Sequence, residues 1–169
     1  AADFALQHYA LKRAGRLTPA GGAALALALP YVAFVAQSGW VNHHAQAGTR
    51  LFEAGRAQTE RRAELFARSL AHHDQAARWG LFGVAANEYQ VALILRESKD
   101  WAGAEAHLCR ALELDPEPVY PRLDLADVLI VGKRFEEAEA VLVDLLERAP
   151  GFEPAATRLA ALRASRNRR

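Results

Sequence analysis

The sequence predicts an all-α fold, with a single N-terminal helix of transmembrane type followed by a short α-solenoid. Two observations carry this. One pattern of residues is written twice across 85–152 at a spacing of 34, and a fixed period of that size marks stacked helical repeats. Upstream, no Lys, Arg, Asp or Glu occurs between Arg16 and Arg50. The domains expected are a short amphipathic helix at 1–16, a transmembrane helix at 17–42, and a connector or degenerate repeat at 43–84. Two regular repeats at 85–152 and a capping helix with a basic tail at 153–169 complete the chain.

Residues 3–15 read as a helix capped by Asp3 and ended by Gly15. Lys12, Arg13 and Arg16 then form a basic cluster. Residues 19–41 follow, and their only conventional polar side chains are Gln37 and Ser38. Roughly 20 apolar residues at ~1.5 Å rise each span the hydrocarbon core, so one crossing fits. Tyr31 and Trp40 are candidates for interfacial aromatics, and Pro30 kinks such a helix without forbidding it. A buried core helix and a signal-type segment are the competing readings. If the segment spans, Ala20, Ala24 and Ala28 form a small-residue ridge suited to lateral helix packing. The cluster at Lys12, Arg13 and Arg16 favours a cytoplasmic N-terminus. The repeats would then lie on the periplasmic side of a bacterial inner membrane.

The next helices are announced by LFEAGR at 51–56 and RAELFARSLAHHD at 62–74, which echo a repeat with an insertion of about three residues. A long helix is expected from Trp79 to Glu97. In the regular repeats Ala92 recurs as Ala126, Trp101 as Phe135, Ala104 as Ala138, Leu108 as Leu142, Leu112 as Leu146 and Pro116 as Pro150. The small residues let two helices cross closely, the aromatics fill the gap beside the turn, and the prolines separate units. Gly132-Lys133-Arg134 forms the turn between helices, with Ser98 replacing the glycine in the first copy.

This combination of small, aromatic and proline positions resembles the tetratricopeptide repeat (TPR) family. The resemblance implies a binding module in which the first helices of successive units line a groove. Carried onto this chain, the lining is Tyr89, Leu93, Arg96, Tyr120, Leu123, Asp127 and Ile130. Some family members clamp a C-terminal carboxylate with Lys and Asn; Leu93, Leu123 and Asp127 at comparable positions make that clamp unexpected. A mostly apolar groove suits a helix from a partner. The alternative is that the chain's own helices fill it.

Charge narrows the partners. The net charge is +1, but the repeat block at 85–152 carries −7 and the segment from residue 153 carries +4. An acidic block is the wrong surface for phosphate-backbone contacts, so no nucleic acid is expected. The basic tail reads as a solvated helix end. The single cysteine, Cys109, reads as a small buried thiol. The pairs His43-His44 and His72-His73 point apart on a helix, so neither is a ready chelate. HExxH, CxxC, phosphate-loop, GxSxG and GxGxxG motifs are absent. The expectation is therefore a non-catalytic, membrane-anchored adaptor or assembly subunit without cofactor or metal. Its partners would be the bilayer and other, integral-membrane, protein subunits. Two other classes stay open: the C-terminal repeat portion of a polytopic membrane enzyme, and a soluble repeat chaperone.

Overall fold

A computed structural model of the protein describes residues 12–13, 16–80 and 84–166. Most of the expected helix at 3–15 lies outside these residues. Lys12–Arg13 (β1) and Arg16–Leu17 (β2) pair as a two-residue antiparallel bridge, so the basic cluster is extended where a helix was expected. Everything else regular among the described residues is helical: α1 Pro19–Ala57, α2 Arg62–Trp79, α3 Ala85–Glu97, α4 Trp101–Leu114, α5 Val119–Val131, α6 Phe135–Arg148 and α7 Glu153–Arg166.

Helix α1 has 39 residues, which at ~1.5 Å each makes it about 58 Å long. The Thr18 hydroxyl accepts from the Gly21 amide at 2.9 Å, and Pro19 occupies the first turn, where its missing N–H costs nothing. The helix continues through Pro30. The boundary expected at residue 42 is therefore no break, because the apolar segment and the first helix of the degenerate repeat are one rod. Gln58 and a 3-10 turn at Thr59–Arg61 are the extra residues the sequence showed as an insertion.

The far half of α1 packs antiparallel on α2. Gly48 and Gly55 are buried. A Cβ at Gly48 would lie 2.6 Å from the His73 Nε2, and one at Gly55 would lie 2.6 Å from the Phe66 ring. Phe52 and Phe66 stack between them at 5.3 Å, and the Ser69 hydroxyl donates to the Gly48 carbonyl at 2.6 Å. Helix α2 then keeps Trp79, which was expected to open the following helix; Gly80 adopts extended backbone and ends α2.

The repeats stack as expected around one core. Ala104, Ala126, Ala138 and Leu142 are fully buried, with Trp101, Phe135 and Leu146 packed on their rim. A second small cluster, Phe52, Phe66 and Ile94 with Leu70 and Leu93, ties α1 and α2 to α3. The interhelix turns differ from expectation in one detail. The left-handed residue is Lys99 (φ 65) in one unit and Lys133 (φ 59) in the next, whereas Ser98 and Gly132 have φ −80 and −72. Ser98 can replace the glycine because that position needs no special backbone freedom.

Candidate functional site

The seven groove residues divide between α3 (Tyr89, Leu93, Arg96) and α5 (Tyr120, Leu123, Asp127, Ile130). Much of their surface is engaged by the chain itself. The Tyr89 hydroxyl donates to Asp124 at 2.7 Å, and the Arg96 guanidinium donates to the other oxygen of the same carboxylate. Burial, reinforced by Asp124, raises the Tyr89 phenol well above its ordinary range, which keeps it a neutral donor. Asp127 pairs with Arg158 of α7 at 2.7 Å; burial raises its pKa while Arg158 opposes the shift. Tyr120 sits edge-on to Phe152 at 5.6 Å. Leu93 packs on the small cluster, and Leu123 and Ile130 pack on the main core.

Sequence reasoning missed Asp124, which collects the two polar groove residues of α3, Tyr89 and Arg96. Its signal was the i, i+3 spacing from Asp127 on one helix. The basic tail is likewise less solvated than expected, because Arg158 reaches Asp127 and Arg163 reaches Glu139 at 2.7 Å. Cys109 is exposed, not buried as its apolar neighbours suggested. Partial burial, then Glu105 and Glu113, push its thiol pKa upward, which disfavours the reactive thiolate.

A larger concavity lies elsewhere. Between α1, the end of α2 and the start of α3 is a cleft of about 970 Å³. Its walls include Phe34, Val41, Ala45, Ala76, Trp79 and Val84, with Asn42, Gln46, Arg50, Asn87 and Arg110 among the polar groups. His73 forms part of the lining. The His73 Nδ1 lies 2.8 Å from the Asn87 Oδ1, and the Asn87 amide nitrogen donates to the His73 carbonyl. That amide orientation makes Nδ1 the donor. Burial lowers the His73 pKa, so the ring stays neutral, and its Nε2 has no hydrogen-bond partner among the described residues.

Across the same helix pair the Nδ1 atoms of His44 and His72 lie 2.9 Å apart, and Trp40 packs on His44 at 4.6 Å. The adjacent pairs split as expected, but one member of each meets the other across the helices. Burial first, then the charges of His44 and His43, lower the His72 pKa. Among the described residues no group of three or more His, Cys, Asp or Glu gathers as a metal site. Ala20, Ala24 and Ala28 are exposed along the apolar half of α1.

Paired helices stacked at a 34-residue period define a helical-hairpin solenoid. Residues 95–164 match the tetratricopeptide repeat family, and a long apolar helix precedes them. None of the curated proteins matches the sequence. The fold is similar to TTC0263, a thermophilic TPR protein in Thermus thermophilus. That match has 23% identity and a TM-score of 0.64, covering 78% of this chain and 66% of that one. YrrB, a TPR protein with an unusual peptide-binding site, matches at 21% identity and a TM-score of 0.55, covering 73% and 62%. The second TPR domain of human RPAP3, in complex with an HSP70 peptide, matches at 15% identity and a TM-score of 0.58, covering 73% and 98%. The chain thus spans just under two thirds of TTC0263 and YrrB.

Proposed function

We propose that this chain is a non-catalytic, membrane-anchored TPR adaptor that holds and stabilises other subunits of a membrane protein complex. The observation that carries the reading is the division of α1. Residues 19–36 are almost bare, with Leu27 77% exposed and Tyr31 68% exposed. At ~1.5 Å per residue that stretch is about 27 Å long, close to the ~30 Å hydrocarbon core. The other half of the same helix is locked into the repeats by the glycine seam. Hydrophobic surface left bare over such a length calls for lipid or another helix. Ala20, Ala24 and Ala28 supply the ridge for lateral packing.

Anchor and solenoid share one rod, so the repeats are held at a fixed angle to the bilayer. Tethering raises the effective concentration of a weak binder next to its neighbour. The basic Arg16 side favours a cytoplasmic N-terminus, which in a bacterial inner membrane places the repeats in the periplasm. The peptide carried by the RPAP3 domain supports a protein segment as cargo. The α3 and α5 residues Tyr89, Leu93, Arg96, Tyr120, Leu123, Asp127 and Ile130 are the proposed contact surface, with Tyr120 the most open at 61%.

Extraction of native membranes in mild detergent, followed by sizing and mass spectrometry of co-migrating chains, tests this. Migration with integral-membrane subunits in a large particle is the expected result. Release as a lone small species, or recovery in the aqueous phase without detergent, overturns it.

A further inference from the structure

The cleft between α1, α2 and α3 has a polarity gradient that the adaptor role does not use. Its orientation is set by the antiparallel pairing, since the Gln37 side-chain amide donates to the Trp79 carbonyl. The end of α2 therefore lies level with the place where the bare apolar stretch of α1 stops. Toward that end the apolar walls are Phe34, Val41, Trp79 and Val84, with Ser38 and Gln37 beside them, the Gln37 amide spent on the Trp79 carbonyl. Sixteen residues along α1 from Phe34, about 24 Å at ~1.5 Å each, stands Arg50, with Arg110 contributed from α4.

Both cations are under-neutralised. The Arg50 Nε donates to the Gln46 carbonyl at 3.3 Å, and among the described residues it meets no carboxylate. That bond also draws its guanidinium back toward the apolar end. Arg110 lies 3.7 Å from Glu88, a carboxylate that already pairs with the His107 Nδ1 at 2.7 Å. With Glu88 the one carboxylate in its lining among the described residues, the cleft carries surplus positive charge beside a repeat block, 85–152, whose net charge is −7. Between the two ends, Asn42 and Gln46 offer amide groups, hydrogen-bonded to each other at 3.2 Å.

Apolar walls at one end and guanidinium groups at the other match an anionic amphiphile lying along the helix. A helix from a partner would want an apolar stripe over its whole length, and a free anion would leave the apolar end empty. We propose that the cleft holds one anionic phospholipid, its acyl chains against Phe34, Val41 and Trp79 and its headgroup on Arg50 and Arg110. The bilayer as its source rests on the reading of α1 as a membrane helix. A volume near 970 Å³ is of the size of sites that enclose a whole small ligand.

The test uses the full chain in mild detergent, titrated with phosphatidylglycerol or phosphatidylcholine and read by native mass spectrometry. One phosphatidylglycerol should be retained per chain, about tenfold more tightly than phosphatidylcholine, the scale of one charge-assisted contact. Arg50→Ala should remove that preference, and Ala45→Trp, which fills the cleft, should remove retention. Arg78→Ala, outside the cleft, should change neither. Arg50→Glu alters only an exposed side chain, so it decides the matter if Ala45→Trp disturbs folding. Equal retention of the two lipids overturns the proposal, as does retention indifferent to Arg50 and Ala45, or a partner protein segment cross-linked in the cleft. Flotation with purely zwitterionic vesicles scores the anchor separately. A chain that floats yet shows no preference loses the lipid site and keeps the anchor; a chain that does not float loses both.

Discussion

Lys99 and Lys133 occupy the left-handed position that follows the first helix of each repeat. Their amides donate back to Arg96 and Ile130, and the next amides, of Asp100 and Arg134, donate to Leu95 and Leu129 at 2.9 Å. This pair of hydrogen bonds closes the helix end whatever the side chain, but a Cβ in that backbone costs ~1–2 kcal/mol. Lys133→Gly relieves the strain and loses some chain entropy, so a net gain of about 0.5–1 kcal/mol is expected in denaturant unfolding. Lys133→Val should destabilise, since branching at Cβ worsens the same clash. If Gly132→Ala proves more damaging than Lys133→Val, the left-handed assignment is wrong. A positive φ could not be read from the sequence, because lysine is not the residue that usually marks it.

Among elements, α1 is the unusual one, with two kinds of glycine. Gly48 and Gly55 exist for contact with α2, whereas a Cβ at Gly22 or Gly39 would meet nothing within 4 Å. Gly48→Ala drives a methyl group into the buried His73 ring and should cost about 1–3 kcal/mol. Gly39→Ala only improves helix propensity and should be neutral or stabilising by up to ~1 kcal/mol. Thermal unfolding of both variants in the same detergent checks the contrast, and equal effects would mean that α1 and α2 do not pack through this seam. Nothing in the sequence singled out Gly48 and Gly55 as a seam, because helix pairing is a property of two segments brought together.

At the scale of the whole molecule, the anchor half is joined to the repeats through few groups: the Phe52, Phe66 and Ile94 cluster and the His73–Asn87 hydrogen bonds between α2 and α3. Both His72 and His73 have pKa values lowered by burial. In the unfolded chain each would take a proton near 6.5, so the unfolded state binds more protons as pH falls below that value. The stability these neutral rings contribute is complete above about pH 6.5 and is lost as pH drops toward their folded values. Asp127, raised by burial, works in the opposite sense at the carboxylate end of the range. The melting temperature should therefore fall between about pH 7.5 and 5.5. His72→Gln together with His73→Gln should flatten that slope; an unchanged slope would place the titration elsewhere. By contrast, exposed ion pairs such as Arg148–Asp144 and Arg61–Glu64 contribute little and should make the transition only weakly salt-dependent.

The repeat period, the small residues at each crossing and the uncharged stretch before Arg50 are local patterns, and they determined the solenoid and the apolar helix without reference to anything distant in the chain. Expectation gave way where a feature depends on two segments meeting. The helix boundary at residue 42 vanished because packing on α2 continues α1 as a single rod. Asp124, a residue the sequence did not single out, gathered Tyr89 and Arg96 of α3. His44 found His72, and Arg158 found Asp127, across gaps of 28 and 31 residues. The cleft with its cationic end belongs to no single stretch; residues of α1, α2, α3 and α4 line it together. Periodicity is written into one segment at a time, whereas a cavity and its charge are set by the distances between segments, which only the tertiary structure decided.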